Sequence, residues 1–173
     1  MPNREPILDP SSIDFDNVIA DIEEIRQCIP QRFEMEQLTA ILISDVEKRI
    51  CVGYKDITLS EFWVSGHMPG MPLMPGVIMC EAAAQLAGYL VGKYKIFGDS
   101  ILGFAGLDDI HFRGTVQPGD RLLMMVKQLR IRPNAMITCR FQGFVNEEMV
   151  FEGVLKGVPL PKDRLVQDDS NRT

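Results

Sequence analysis

The chain has 173 residues and a mass of 19.5 kDa, which suits one domain able to bury roughly two thirds of its unfolded surface. Hydrophobic residues make up 46% and charged residues 24%, a balance that excludes an intrinsically disordered chain. The formal charge of −6 argues against nucleic-acid binding, which needs clustered lysine and arginine in excess over acids. We therefore expect a folded globular protein without a nucleic-acid partner.

The cysteines and histidines bear on the compartment and on metal binding. The four cysteines are scattered without a C-x-x-C pair, and the chain shows no secretory signal with a basic start and an apolar stretch. These features predict a cytoplasmic protein with reduced thiols. The two histidines form no cluster with cysteine of the kind that binds zinc, so we predict no metal site.

The sequence predicts three parts along the chain. Residues 1–14 contain three prolines and no periodicity, which indicates a flexible N-terminal arm. Residues 15–160 carry the periodic apolar patterns of a folded domain. Residues 161–173 are polar and patternless, which indicates a flexible C-terminal tail.

The first half of the domain predicts a helix followed by strands. Apolar residues at spacings of four, three and four predict an amphipathic helix that begins near Asp16 and is ended by Pro30. The segments Gln37–Ser44 and Arg49–Lys55 predict a hairpin, and extended backbone is expected to continue from Tyr54 to Trp63. The apolar residues of the predicted helix are Val18, Ile22, Ile25 and Ile29.

A long apolar segment, Met68–Gly92, predicts a buried central helix. Glu81 and Gln85 are its strongly polar side chains, and three prolines interrupt its first part. About 16 helical residues remain after Gly76, fewer than the roughly 20 that span a bilayer, so we predict no membrane span. A helix that is apolar all round must be covered by other elements of the protein.

The remaining sequence predicts strands that can cover this helix. Leu122–Ile131, Ala135–Val145 and Glu148–Val158 are β-rich, and the second alternates apolar and polar residues as a half-buried antiparallel strand does. Strands of this kind in meander order, together with the central helix, predict an α+β architecture in which a sheet curls round one helix.

His67 and Glu81 are candidates for an acid/base pair. An isolated histidine more often only bonds a backbone carbonyl, but His67 stands on a turn rich in proline and glycine that can present it to a substrate. Glu81 lies in an apolar helix, where an ionised carboxylate costs several kcal/mol unless it is partnered or protonated. Either state of Glu81 suits proton transfer.

Two further residues beside this pair admit a functional and a structural interpretation. Gln85, one turn after Glu81, can hydrogen-bond the carboxyl group or simply bridge to backbone. Gly76, near the start of the helix, offers an unobstructed backbone N–H at the positive end of the helix dipole, or only permits a tight Pro-Gly turn. Both interpretations stay open from the residues alone.

The segment G-H-M-P-G-M-P-L-M-P-G-V at 66–77, with Glu81 and Gln85, resembles the signature of the FabZ/FabA-type 3-hydroxyacyl-[acyl-carrier-protein] dehydratases. Their pattern runs G-H-F-P-G-x-P-x-M-P-G-V and then E-A-x-A-Q. The resemblance covers all of the chain except its two ends. It implies a hot-dog fold, with a long central helix wrapped by a curved antiparallel sheet, and a homodimer or a trimer of such dimers in which the histidine of one subunit faces the acid of the other.

The resemblance also implies a reaction. A (3R)-3-hydroxyacyl thioester of acyl carrier protein loses water to give the trans-2-enoyl thioester in fatty acid biosynthesis, without a cofactor. His67 takes the proton next to the carbonyl, Glu81 handles the leaving hydroxyl, and the Gly76 N–H polarises the thioester carbonyl. The carbonyl of Leu73 orients the His67 ring.

Some positions depart from the family pattern. Met68 stands in place of the usual phenylalanine and changes the wall of the substrate site, and Gln31 replaces a common histidine. Ser60 and Phe62 replace the usual asparagine and proline before the motif.

The partner and the activity each leave an alternative open. The stretch 109–114, expected to dock the carrier protein, keeps only Arg113 as a fixed positive charge, so a coenzyme A ester is the alternative substrate. Other arginines that can compensate are Arg130, Arg132 and Arg140. The alternative activities are a hot-dog acyl thioesterase, an acyl-CoA hydratase and a non-catalytic acyl-binding protein.

Overall fold

The computed structural model describes residues 5–163, which fold into one antiparallel sheet and a long helix. The sheet order is β1-β2-β4-β5-β6-β3, so β4, β5 and β6 form the predicted meander while β3 lies at the edge beside β6. Two short 3-10 turns occur at Pro10–Ser12 and Phe33–Met35. The helices and strands are α1 (Ile22–Cys28), β1 (Ala40–Asp45), β2 (Ile50–Asp56), α2 (Gly76–Lys93), β3 (Ile101–Phe112), β4 (Arg121–Arg132), β5 (Met136–Val145) and β6 (Glu148–Leu160).

Helix α2 is the predicted buried central helix. It contacts β2, β3, β4 and β5, and most of its side chains are buried against the inner face of the sheet. It begins at Gly76 after Pro75, which occupies the N-cap position with extended backbone at φ −60° and ψ 135°. No helix within residues 5–163 is long and apolar enough to cross a membrane. The predicted α+β architecture, a sheet wrapped round one helix, is confirmed.

The first helix begins later than its apolar spacing predicts. Asp21 accepts hydrogen bonds from the backbone N–H groups of Glu23 and Glu24, and the Glu24 carboxylate accepts one from the Asp21 N–H, so this capping box sets the start at Ile22. Upstream, Ala20 pairs with Ile41 of β1 in a β-bridge. The predicted start near Asp16 is therefore wrong, and Val18 lies outside the helix.

The extended backbone predicted from Tyr54 to Trp63 is also shorter in the structure. Strand β2 ends at Asp56, and the chain then turns. The Trp63 carbonyl accepts hydrogen bonds from the backbone N–H groups of Gly66 and His67, and the Trp63 side chain is buried in the core. The chain turns after the buried Trp63, and His67 then lies exposed at the surface.

The described part of the predicted arm, residues 5–14, lies on the outer face of the sheet. The backbone N–H of Ile7 donates to the side-chain oxygen of Gln142 at 2.8 Å, and Ile13 is buried in a second apolar cluster with Leu123 and Phe144. These residues are thus attached to the sheet, because the sheet has an apolar outer face for them to cover. Of the predicted arm and tail, residues 1–4 and 164–173 lie outside the described residues.

Candidate active site

His67 stands on an exposed loop that hydrogen bonds hold closed. The Leu73 backbone N–H donates to the His67 carbonyl at 2.8 Å, and the His67 ring atom Nδ1 lies 2.7 Å from the Leu73 carbonyl oxygen. A carbonyl oxygen can only accept, so Nδ1 carries the hydrogen and the lone pair of the neutral ring is on Nε2. The loop therefore presents Nε2 as the basic atom, and the predicted contact between Leu73 and His67 is present.

Glu81 lies on α2, half-buried, and Gln85 holds its carboxylate. The Gln85 side-chain Nε2 donates to Glu81 Oε1 at 2.8 Å. Of the two interpretations of Gln85, the structure shows both at once, since this side chain also bridges to backbone. Its Oε1 accepts from the backbone N–H of Gln37 at 2.9 Å, and its Nε2 donates to the backbone carbonyl of Met35 at 2.6 Å.

These backbone contacts fix the orientation of the Gln85 amide. A backbone N–H can only donate and a carbonyl can only accept, so an exchange of the amide oxygen and nitrogen of Gln85 would break both bonds to residues 35 and 37. Both hydrogens of Nε2 are then committed, one of them to Glu81 Oε1. Glu81 Oε1 consequently accepts a hydrogen bond, which favours Oε2 as the position of a proton bound to Glu81.

An ion pair holds the segment that orients Gln85. Arg26 of α1 donates from Nε and a terminal nitrogen to the two carboxylate oxygens of Glu36, at 2.7 and 2.9 Å. This two-point hydrogen bonding with Arg26 lowers the pKa of the Glu36 carboxyl group. Because Glu36 lies between Met35 and Gln37, the pair fixes the backbone that contacts Gln85. Sequence reasoning missed Met35 and Gln37, which carry no chemical signature because they act through backbone atoms.

A cavity of about 220 Å³ opens beside Glu81. One face of α2 lines it, the last residue of α1 contributes Cys28, and the segment after α1 contributes Gln31. Burial raises the pKa of the Cys28 thiol. The residues from α2 are Glu81, Ala84, Gln85 and Gly88, and those from β3 and β6 include Leu102, Leu155 and Leu160. Most of the lining residues are apolar, and the charged ones are Glu81 and Lys156.

The other predicted site residues of the same chain lie apart from this cavity. His67, Met68, Leu73 and Gly76 are not among the described residues that line it. Met68 is exposed, on the same loop as His67. The structure of one chain thus brings Glu81 and Gln85 together, brings Leu73 to His67, and leaves the two pairs separate.

Gly76 is the first residue of α2. The Ile78 N–H of the first helical turn donates to the Pro75 carbonyl at 2.9 Å, whereas the N–H groups of Gly76 and Val77 precede the first hydrogen bond of the helix. A Cβ at residue 76 would lie 2.6 Å from the ring of Phe112, so a larger residue there would have to displace this half-exposed side chain of β3.

Some groups with possible chemical roles are occupied or buried. Arg113 Nε donates to the Glu152 carboxylate at 3.0 Å, which pairs its charge, and Arg140 donates to the Glu5 carbonyl at 2.6 Å. Among the described cysteines none forms a disulfide, and burial raises the pKa of the Cys80 thiol to about 11. Within residues 5–163 no three histidine, cysteine or acidic residues are grouped so as to hold a metal ion.

Comparison with known proteins decides the family. A family model described as the FabA-like domain matches residues 29–154. The 3-hydroxyacyl-[acyl-carrier-protein] dehydratase FabZ of Hydrogenobaculum sp. (strain Y04AAS1) is 36% identical over 143 residues, which cover 78% of this chain and 91% of that relative. The chain belongs to the FabA/FabZ dehydratase family.

A second relative supports this family assignment, and a solved structure supports the fold. The FabZ dehydratase of Bacillus pumilus (strain SAFR-032) is 41% identical over 113 residues, covering 65% of this chain and 77% of the relative. Among solved structures, the dehydratase heterocomplex ApeI:P from Xenorhabdus doucetiae covers 86% of this chain and 97% of its own, with a TM-score of 0.68 and 16% identity, which shows the shared fold. The predicted family, hot-dog fold and enzyme class are confirmed.

Proposed function

We propose that this FabA/FabZ-family enzyme removes water from (3R)-3-hydroxyacyl thioesters and gives trans-2-enoyl thioesters in fatty acid biosynthesis. The observation that carries the proposal is the Glu81 carboxylate, fixed at Oε1 by Gln85, in the wall of a mostly apolar cavity suited to an acyl chain. An ionisable group of this kind in a cavity is a candidate general acid.

Each proton in the proposed reaction has a donor and an acceptor. His67 Nε2 takes the proton from C2, and the C2 electron pair forms the new double bond as the C3–O bond breaks. Glu81 Oε2 gives a proton to the departing hydroxyl, which leaves as water. The Gly76 N–H donates to the thioester oxygen, where negative charge develops. Acid/base groups of this kind contribute roughly 10²–10⁴-fold each and an oxyanion donor on the order of 10²–10³-fold.

The separation of His67 from the Glu81 cavity supports a site shared between two subunits of a homodimer. Strand β3 has one edge that pairs with no other strand among the described residues, and its Phe104 and Phe112 are about half exposed, at 49% and 51%. Unpaired strand edges readily pair with another chain. A second copy at this edge covers these aromatic residues and brings its own His67 loop to the site.

Mixing two inactive variants tests both the chemistry and the sharing. His67→Ala and Glu81→Gln are each expected to lose dehydration while keeping their circular dichroism. After subunit exchange, a mixed dimer contains one site with both groups intact, so activity should return to about a quarter of the wild-type value. Light scattering on the same samples distinguishes a dimer from a trimer of dimers.

The dehydration assay also identifies the carrier of the acyl group, when the rates on two carriers are compared. We propose acyl carrier protein, with Arg130 and Arg132 as exposed positive residues available for an acidic partner. Faster turnover of an acyl group on carrier protein than on coenzyme A supports this choice.

Two variants that stay inactive when mixed would contradict the shared site, and a wild-type protein without dehydration would contradict the function.

A further inference from the structure

Lys55 of β2 has a charged side chain that is largely buried and bonded on two sides. Its Nζ donates to the backbone carbonyl of Glu36 at 3.0 Å and lies 3.2 Å from the Glu61 carboxylate. The side chains of Lys55 and Glu61 are only 12% and 9% exposed. A buried ion pair is often no more stabilising than apolar residues of similar size, so its presence here calls for a functional explanation.

The Glu36 carbonyl belongs to the peptide group that orients Gln85. A peptide group joins the carbonyl of one residue to the N–H of the next in one rigid plane, so the Glu36 C=O and the Gln37 N–H move together. The Gln37 N–H donates to Gln85 Oε1 at 2.9 Å, and Gln85 Nε2 donates to Glu81 Oε1 at 2.8 Å. Lys55 is thus connected to Glu81 through three hydrogen bonds in series.

These three hydrogen bonds all point in the same direction. In each of them the donor lies on the side of Lys55 and the acceptor on the side of Glu81. Hydrogen bonds in such a chain polarise one another, because a cation at the carbonyl makes the N–H of the same peptide a stronger donor. The ammonium group therefore strengthens the contacts that fix the Gln85 amide and, through it, the Glu81 carboxylate.

We propose that Lys55 is a positioning residue for the acid Glu81. Its ammonium group holds the 36–37 peptide, and through Gln85 it holds the Glu81 carboxylate in the orientation that delivers a proton to the leaving hydroxyl group. Glu61 is the counter-ion that keeps the ammonium group in place. This inference rests on the proposed dehydration.

The base His67 is held by contacts that do not include Lys55. Its backbone N–H donates to the Trp63 carbonyl at 2.8 Å, and its Nδ1 lies 2.7 Å from the Leu73 carbonyl oxygen. Glu61 precedes this loop in the chain, but its carboxylate makes none of these bonds. Loss of the Lys55 ammonium group should therefore impair proton delivery by Glu81 and leave proton removal by His67 intact.

Two leaving groups separate the action of the acid from that of the base. A 3-hydroxybutanoyl thioester needs a proton from Glu81 to release water. In a 3-chlorobutanoyl thioester, His67 removes the C2 proton, the C–H electron pair forms the double bond, and the C3–Cl bond breaks with its electrons on chloride. Chloride is a very weak base and leaves without a proton. Glu81→Gln is the reference, expected to lose water elimination and to keep chloride elimination.

Lys55→Met removes the ammonium group and keeps a side chain of similar length. We expect kcat for the hydroxy ester to fall about tenfold, because Glu81 loses its fixed orientation, while kcat for the chloro ester stays within about twofold of the wild type. Arg121→Met is the matched control. It breaks an ion pair with Asp56, the next residue of β2, and should leave both rates unchanged.

A second variant separates positioning from stability. Lys55→Met leaves the Glu61 carboxylate without its partner and should destabilise the protein in urea unfolding. The double variant Lys55→Met/Glu61→Leu replaces the pair by apolar residues and should regain stability. Its kcat for the hydroxy ester should stay as low as that of the single variant, because the 36–37 peptide still lacks the ammonium group.

The other outcomes overturn the proposal. An equal loss on both esters, or a double variant that regains kcat together with stability, would give the Lys55–Glu61 pair a structural role only. Unchanged kcat for the hydroxy ester would show that Lys55 does not position Glu81. A failure of the proposed function is a different result, namely a wild type that is inactive on the hydroxy ester, and this inference would fail with it.

Discussion

Backbone groups assign the proton positions of the two candidate catalytic side chains. The Leu73 carbonyl fixes the hydrogen of His67 on Nδ1, and the backbone groups of Met35 and Gln37 orient the Gln85 amide that binds Glu81. In the proposed reaction, the base atom Nε2 of His67 and the acid atom Oε2 of Glu81 follow from these hydrogen bonds.

Gln85→Leu is expected to reduce both activity and stability. Leucine leaves the buried N–H of Gln37 without an acceptor, which should cost about 1–3 kcal/mol in urea unfolding. Glu81 then loses the bond that fixes its rotamer, so kcat should fall roughly tenfold or more at saturating substrate. A variant that is less stable but keeps the wild-type kcat would show that Gln85 only supports the backbone of residues 35–37.

Helix α2 approaches its neighbours closely because it carries small residues. A Cβ at Gly92 would overlap the backbone carbonyl of Cys28, at the end of α1. A Cβ at Gly88 would meet Ile29 at 3.4 Å, an ordinary contact. Gly92 therefore sets the distance between α1 and α2, and with it the position of the cavity wall that follows α1.

Two alanine substitutions on this helix should have opposite effects. Gly92→Ala forces backbone apart and is expected to destabilise the protein by about 1–3 kcal/mol. Gly88→Ala is the matched control: it gains helix propensity without a clash and should stabilise by about 0.5–1 kcal/mol. Chemical unfolding of both variants measures these changes in the free energy of unfolding. Equal changes would contradict a close contact between Gly92 and the Cys28 carbonyl.

At the scale of the whole molecule, the described residues form two apolar clusters on opposite faces of one sheet. The larger lies between the sheet and α2, and the smaller lies on the outer face, beneath residues 5–14. Residues 5–14 are held there by the bond from Ile7 to Gln142, and the adjoining Phe15 ring contacts Tyr54 at 5.7 Å between centroids. Large exposed apolar patches promote association, so the arm acts as a cover.

Removal of residues 1–14 should expose this outer face. We expect increased binding of an apolar dye and larger assemblies in light scattering, because Leu123, Met125 and Phe144 lose their cover. The point variant Ile13→Asp places a charge in the same cluster and should act in the same direction more weakly. A truncated protein of unchanged size and dye binding would show that the arm contributes little.

Local patterns in the sequence determined much of this protein. The long apolar segment identified α2, alternation and turn residues identified β4, β5 and β6, and one short motif identified the family that carries His67 and Glu81. These features depend on residues close together in the chain, so their signal is readable there. The domain limits, the roles of the site residues and the cytoplasmic location stay predictions.

Only the tertiary structure decided the features that depend on distant residues. The start of α1 follows from a capping box and from the pairing of Ala20 with Ile41, which override the apolar spacing. The Gln85 amide is oriented by backbone groups 48 and 50 positions away. Residues 5–14 lie on the sheet because of an apolar outer face assembled from several strands. Every residue type offers similar backbone groups, so the sequence does not indicate which distant residues share a backbone hydrogen bond or a buried cluster. The tertiary structure was needed to find these contacts.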